Sequence, residues 1–126
     1  MACRITELVL DCRDPERLAA FWCDVLGFAV LDRLEGSVRI GPPEGGFGGL
    51  QPTLVFNPSV EPRPAKLRLH IDVNPTDRDQ ADELVRLLAA GATRADIGQT
   101  GHEPWIVLAD PEGNEFCLLH HRLAPI

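Results

Sequence analysis

No apolar run in this chain approaches the about 20 residues that crossing a bilayer requires, so a membrane span is excluded. The opening stretch, MACRITELVL, lacks the basic-then-apolar pattern and small-residue cleavage site of a secretory signal. Positive charge is also scarce: 12 Lys and Arg face 19 Asp and Glu, a formal net charge of −7 with no basic cluster. Nucleic acids and anionic membranes both need concentrated positive charge, so neither is an expected partner. Cysteine occurs four times, at 3, 12, 23 and 117, without zinc-knuckle or C-x-x-C spacing. Cys12 and Cys23 fall in apolar segments, where a free thiol behaves as a small hydrophobe. Reduced thiols in a cytoplasmic protein are the expectation. The glycine-rich stretch GPPEGGFGG (41–49) is not followed by a helix carrying the Walker Lys-Ser/Thr, which argues against a phosphate cradle. Flexibility at a pocket rim is the better use of its glycines.

What is present is a chain of 126 residues, 44% hydrophobic and 25% charged, which suits one compact domain with a real core. It reads as two copies of one unit. ITELVLD (5–11) alternates as a strand, with Glu7 and Val9 on the face opposite Leu8 and Leu10. DPERLAAFWCDVLGF follows with Asp14 as N-cap, Pro15 at the first helical position and Gly27 as terminator. Its apolar stripe is Leu18, Phe21, Trp22 and Val25. Strands are predicted near 28–33, 37–41 and 51–57. The pattern then recurs: KLRLHIDV (66–73) alternates, and Thr76 with Asp79 resembles a capping box. A helix ends at Gly91, and strands are predicted near 92–96, 104–109 and 114–120. A shift of 63 lays Leu8 on Ile71, Asp14 on Asp77 and Trp22 on Val85, and a shift of 60 lays Phe56 on Phe116. Module one is expected at about 4–57, a proline-rich join at 58–66 and module two at about 67–122, within a single domain spanning 1–126.

The β-α-β-β-β order and the segments LDCRDPERLAAFWCDVLGF, LRLHIDVN and VLADPEGNEFCLL resemble the vicinal oxygen chelate superfamily of glyoxalases, bleomycin-resistance proteins and extradiol dioxygenases, in its bacterial glyoxalase-like branch. The resemblance implies an α+β fold in which two tandem βαβββ modules form a U-shaped mixed and antiparallel sheet trough with helices outside. It also implies a homodimer and, in some members, a divalent metal held by the first and last strand of each module. Those positions fall on Glu7, Asn57, His70 and Cys117, of which His70 alone keeps the usual identity.

Glu7, His70 and Cys117 together would suit zinc or another borderline-to-soft ion. A thiolate fits poorly with the hard, open sites of vicinal-oxygen chemistry, so no cofactor is expected and a divalent metal is the alternative. Glu115, two residues before Cys117, shares its face. His120 and His121 are adjacent and cannot chelate one ion as a strand pair. Trp22 reads as core, and Trp105 as either a cap on the trough mouth or a subunit contact. The first functional reading is metal-independent binding of a small organic molecule. Apolar Val9, Val55, Val107 and Leu119 would mix with polar Glu7, Asn57, Arg68, His70, Asp72, Trp105, Glu115 and Cys117. The alternative is a lyase or isomerase acting on a small oxygenated substrate. In it Glu7, with its pKa raised by an apolar setting, would be the base and His70 its acid–base partner. Glutathione-dependent glyoxalase I chemistry and an Fe(II) dioxygenase are not expected from so degenerate a ligand set.

Overall fold

The structure, a computed structural model, describes residues 2–61 and 65–126, so residues 62–64 of the expected join lie outside the described residues. The chain divides into two compact units, Met1–Pro62 and Arg63–Ile126. Among the described residues each unit carries one helix and four strands in the order β-α-β-β-β, an α+β architecture in tandem. No helix among the described residues is long and apolar enough to cross a membrane.

Unit one holds β1 (Glu7–Cys12), α1 (Pro15–Leu26), β2 (Ala29–Leu34), β3 (Ser37–Gly41) and β4 (Thr53–Pro58). Its sheet runs β1-β4-β3-β2, with β1 parallel to β4 and the other pairs antiparallel. The helix begins and ends as its local chemistry dictates. The Asp14 carboxylate accepts the Arg17 N–H at 3.2 Å, Pro15 opens the first turn, and Gly27 closes the last at φ 67°. A left-handed residue there suits glycine, and its N–H returns to the Cys23 carbonyl. Leu18, Ala19, Phe21 and Trp22 are buried, and α1 packs against β3 and β4. The sheet face carrying Val38, Ile40, Leu54 and Phe56 is equally buried. Strand alternation leaves the other face free for a site.

Unit two holds β5 (Ile71–Val73), α2 (Gln80–Ala90), β6 (Thr93–Arg94), β7 (Ile106–Ala109) and β8 (Glu115–Leu118). Its sheet repeats the plan, β5-β8-β7-β6, again with a parallel pair between the first and last strands. Two expectations are corrected here. The N-cap of α2 is Asp79, whose carboxylate accepts the Asp82 N–H at 2.9 Å, rather than Thr76. The strand predicted over 66–73 is confined to Ile71–Val73. The Glu115 carboxylate accepts the Leu67 N–H at 3.1 Å, and His70 Nε2 donates to the Leu67 carbonyl at 2.8 Å. Side chains thus claim backbone groups that a longer ladder would use.

The Asp-Pro turn before β8 is built the same way. Asp110 accepts the N–H groups of Glu112 and Asn114 at 3.0 Å each, and Gly113 sits at φ 85°. This anchored turn fixes where Glu115 and Cys117 leave the loop.

Candidate functional site

The free face of the unit-one sheet lines a cavity of about 520 Å³. Every strand contributes alternate residues: Glu7, Val9 and Asp11 from β1, Asp32 and Leu34 from β2, Ser37 and Arg39 from β3, Val55 and Asn57 from β4. Glu35 and Pro58 complete the wall. The sequence-predicted Glu7, Val9, Val55 and Asn57 therefore meet in one place.

Its electrostatic centre is Arg39. Its Nε donates to Glu7 Oε2 at 2.7 Å and its Nη1 to Asp32 Oδ2 at 2.9 Å. The Phe47 ring lies 5.7 Å from the guanidinium carbon, a cation–π distance. Asp32 reaches this face because of an irregularity in β2. The register advances from Val30↔Ile40 to Asp32↔Arg39, leaving Leu31 as an extra residue. Such a bulge re-aims the side chains that follow it. Arg39 and Asp32 were not singled out from the sequence. The alternation of SVRIG puts Arg39 beside Ser37 and was a usable signal, whereas the bulge left none.

Glu7 is held from behind as well. Thr53, fully buried, donates its hydroxyl to Glu7 Oε2 at 2.7 Å. Gly41 makes room for this: a Cβ there would stand 2.8 Å from both Leu31 Cδ1 and Thr53 Cγ2. Burial pushes the Glu7 pKa up, but the bonds from Arg39 and Thr53 and the arginine charge outweigh it and hold the carboxyl below its ordinary value. The shift expected for a general base is in the opposite direction. Asn57 accepts the Ser37 hydroxyl at 2.6 Å.

Unit two carries the remaining candidates. Asp72 and Cys117 are register partners across the parallel pair, and Val107 lies opposite Cys117 on the other side. Burial, then the neighbouring Asp72 charge and its hydrogen bond, push the Cys117 thiol up, so it stays protonated at neutral pH. Glu115 is buried and tied to Leu67, while Arg68 is exposed. Trp105 is 42% exposed immediately before β7, and Leu119 follows β8 with its N–H on the Val73 carbonyl. His120 and His121 are exposed beyond β8. Cys117 is therefore a protonated wall residue of its sheet.

Among the described residues no group of three or more His, Cys, Asp or Glu side chains is gathered as a metal ion would need. The residues that the resemblance offers to a metal do not fit one as they stand. Glu7 Oε2 already accepts from Arg39 and Thr53, and Cys117 is kept as a thiol by burial first and then by Asp72. His70 Nε2 lies on a carbonyl oxygen and therefore carries a proton, which leaves only Nδ1 with a lone pair.

Comparison with known proteins gives the family. A family model described as a glyoxalase-like domain matches residues 7–119. No curated protein matches the sequence. Among solved structures, a glyoxalase/bleomycin resistance protein/dioxygenase family enzyme from Burkholderia phytofirmans is 18% identical, with 92% of this chain and 97% of that chain covered and a TM-score of 0.67. The fosfomycin resistance protein FosX of Mesorhizobium loti is 15% identical, with 98% and 96% covered and a TM-score of 0.70. A mutant FosX from Listeria monocytogenes, complexed with Mn(II) and 1S,2S-dihydroxypropylphosphonic acid, is 13% identical over 98% of this chain and 93% of that chain, with a TM-score of 0.71. At these identities the structures share the fold. With the family model spanning both units, the chain belongs to the glyoxalase-like family.

Proposed function

We propose that this protein binds a small organic molecule on the free face of its unit-one sheet, without a metal. The observation that carries the reading is the cavity of about 520 Å³, in which apolar Val9, Leu34 and Val55 alternate with Glu7, Asp32, Arg39 and Asn57. The volume falls in the range of about 300 to 1,000 Å³ typical of ligand sites, and with Asp11, Glu35 and Ser37 also in the wall the lining is mostly polar, which favours a polar ligand. Metal independence is supported by the existing partners of Glu7, His70 and Cys117. No specific observation favours the lyase or isomerase alternative, since Glu7 is ionised and bonded to Arg39 rather than poised as a base.

The family model covers residues 7–119, which supports treating the two units as one domain. All four cysteines are free, in keeping with a reducing cytoplasm. A homodimer is the assembly that the family resemblance implies, and light scattering tests it. The reading is tested by screening aromatic, cationic and small oxygenated compounds by ligand-observed NMR. At least one class binds, and Val55→Trp, which fills the cavity wall, weakens it by about tenfold or more. A panel in which nothing binds, or binding indifferent to Val55→Trp, overturns the reading.

A further inference from the structure

The ligand position that the family resemblance implies and the ion pair of unit one coincide at Glu7. Glu7 is the side chain that the resemblance places among the metal ligands, and its Oε2 accepts the Arg39 Nε at 2.7 Å. On the other edge of the same guanidinium, Nη1 donates to Asp32 Oδ2 at 2.9 Å. Two carboxylates thus converge on one positive group that belongs to the chain. The arrangement is built rather than incidental. The extra residue Leu31 turns Asp32 onto this face, Thr53 fixes Glu7 from below, and the Phe47 ring lies beside the guanidinium. A guanidinium is charged at every accessible pH, and its planar fork pairs with two oxygens in fixed directions.

We infer that Arg39 is the resident cation of this site, occupying beside Glu7 and Asp32 the place that a divalent metal takes in metal-bearing relatives. A divalent ion near Glu7 would have to displace an attached cation already hydrogen-bonded there, and that competition closes the site to metal. The inference rests on Glu7 matching the family's ligand position, and it deepens the metal-independent reading above. It stands whether or not a ligand is found.

Manganese(II) alone is the probe, because a relative of this fold is known with that ion. The full chain is purified without chelator and titrated with Mn(II), with free ion read by electron paramagnetic resonance. The wild-type protein takes up no stoichiometric Mn(II). Arg39→Met leaves Glu7 and Asp32 without their cation and binds Mn(II) at least about tenfold more tightly than wild type. Adding Glu7→Gln to that variant abolishes the gain, and Arg39→Lys, which keeps the charge, behaves like wild type.

One tightly bound Mn(II) per wild-type chain, lost in Glu7→Gln, overturns the inference. So does an Arg39→Met protein that is folded by circular dichroism and binds no better than wild type. Should Arg39→Met not fold, Arg39→Gln takes its place in the same comparison. In addition, the wild-type Arg39 Nε–H resonance must survive equimolar Mn(II), and its selective bleaching overturns the inference independently of any variant. A failed ligand screen with these metal results intact sinks the binding reading and leaves the resident cation standing. Stoichiometric wild-type Mn(II) overturns the resident cation and the metal independence of that reading together, and leaves small-molecule binding to be decided by the screen.

Discussion

The two units share one strand order and differ in what that order carries. In unit one the strands run six, six, five and six residues. In unit two they run three, two, four and four. Longer ladders give unit one a face wide enough for a cavity, and its polar groups meet there as an ion pair. The corresponding face of unit two brings a thiol against a carboxylate. The difference teaches that topology repeats more faithfully than chemistry. The ladder is set by hydrophobic alternation, whereas each polar face is free to diverge.

The helices show the same divergence in their cores, and here the largest effect is expected. Trp22 and Leu87 are each almost completely buried, and they are the largest apolar side chains that their helices bury. In α1 Trp22 has Leu18, Ala19 and Phe21 for company, with the Phe21 ring edge-on at 5.5 Å. The other buried residue of α2 is Glu83, tied to Arg86. Trp22→Ala is expected to cost about 3–5 kcal/mol and Leu87→Ala about 2–3 kcal/mol, both read by urea denaturation. Equal losses would mean that the α2 core is no thinner than that of α1.

That pairing of Trp22 with Leu87 also shows how far the repeat was legible. The N-caps Asp14 and Asp79 differ by 65 positions, and the same shift takes Leu18 to Glu83 and Trp22 to Leu87, all buried. A shift of 63 lays Trp22 on Val85, which is 67% exposed. The reason is a longer approach to α2, residues 74–78 where unit one has Arg13 alone. Glycines closing both helices were readable because cap chemistry is local. The choice of Thr76 over Asp79 failed because both residues suit a cap and only the position of the turn decides. In the site, the face of Glu7 was readable from strand alternation, while Asn57 entered only through the family resemblance. Arg39 with Asp32 depended on a bulge, and His70 left its expected strand because side-chain bonds took the backbone of Leu67. Such tertiary competition leaves no mark on periodicity.

The chemical divergence between Glu7 and Cys117 has a pH signature that is smaller and opposite at the two residues. Glu7 has a folded pKa below its ordinary 4.5. Its contribution is therefore complete above that value and is lost as pH falls through the folded pKa. Cys117 has a folded pKa above its ordinary 9.0. Its contribution is complete below that value and is lost as pH rises through the folded pKa. Stability measured from pH 3 to pH 11 should fall at both ends. Glu7→Gln reduces the acid limb, which Glu16, Asp77 and Glu103 share, without touching the alkaline one, and Cys117→Ser reduces the alkaline limb, which Cys23 shares, without touching the acid one. An alkaline limb unchanged in Cys117→Ser would remove the thiol from the contrast.

The smallest effect belongs to a loop with no counterpart in unit one, and it sharpens the comparison by being local. Glu103 accepts the Thr100 N–H at 2.8 Å, the Thr100 hydroxyl at 3.0 Å and the Gly101 N–H at 2.9 Å. Backbone bonds, those of Thr100 first, hold its carboxyl down at about 2. These bonds close the turn just ahead of Trp105 and β7. Because Glu103 is only half-buried and its bonds stay within the turn, protonating it should loosen the turn and leave the fold intact. In an NMR titration the Thr100 and Gly101 amides should move together near pH 2, while β7 and β8 amides keep their positions. Glu103→Gln should abolish that movement and speed hydrogen exchange at Thr100 and Gly101. If β8 amides shift with them, the turn is coupled to the strand that presents Cys117, and acid would then reach the unit-two face through this loop as well.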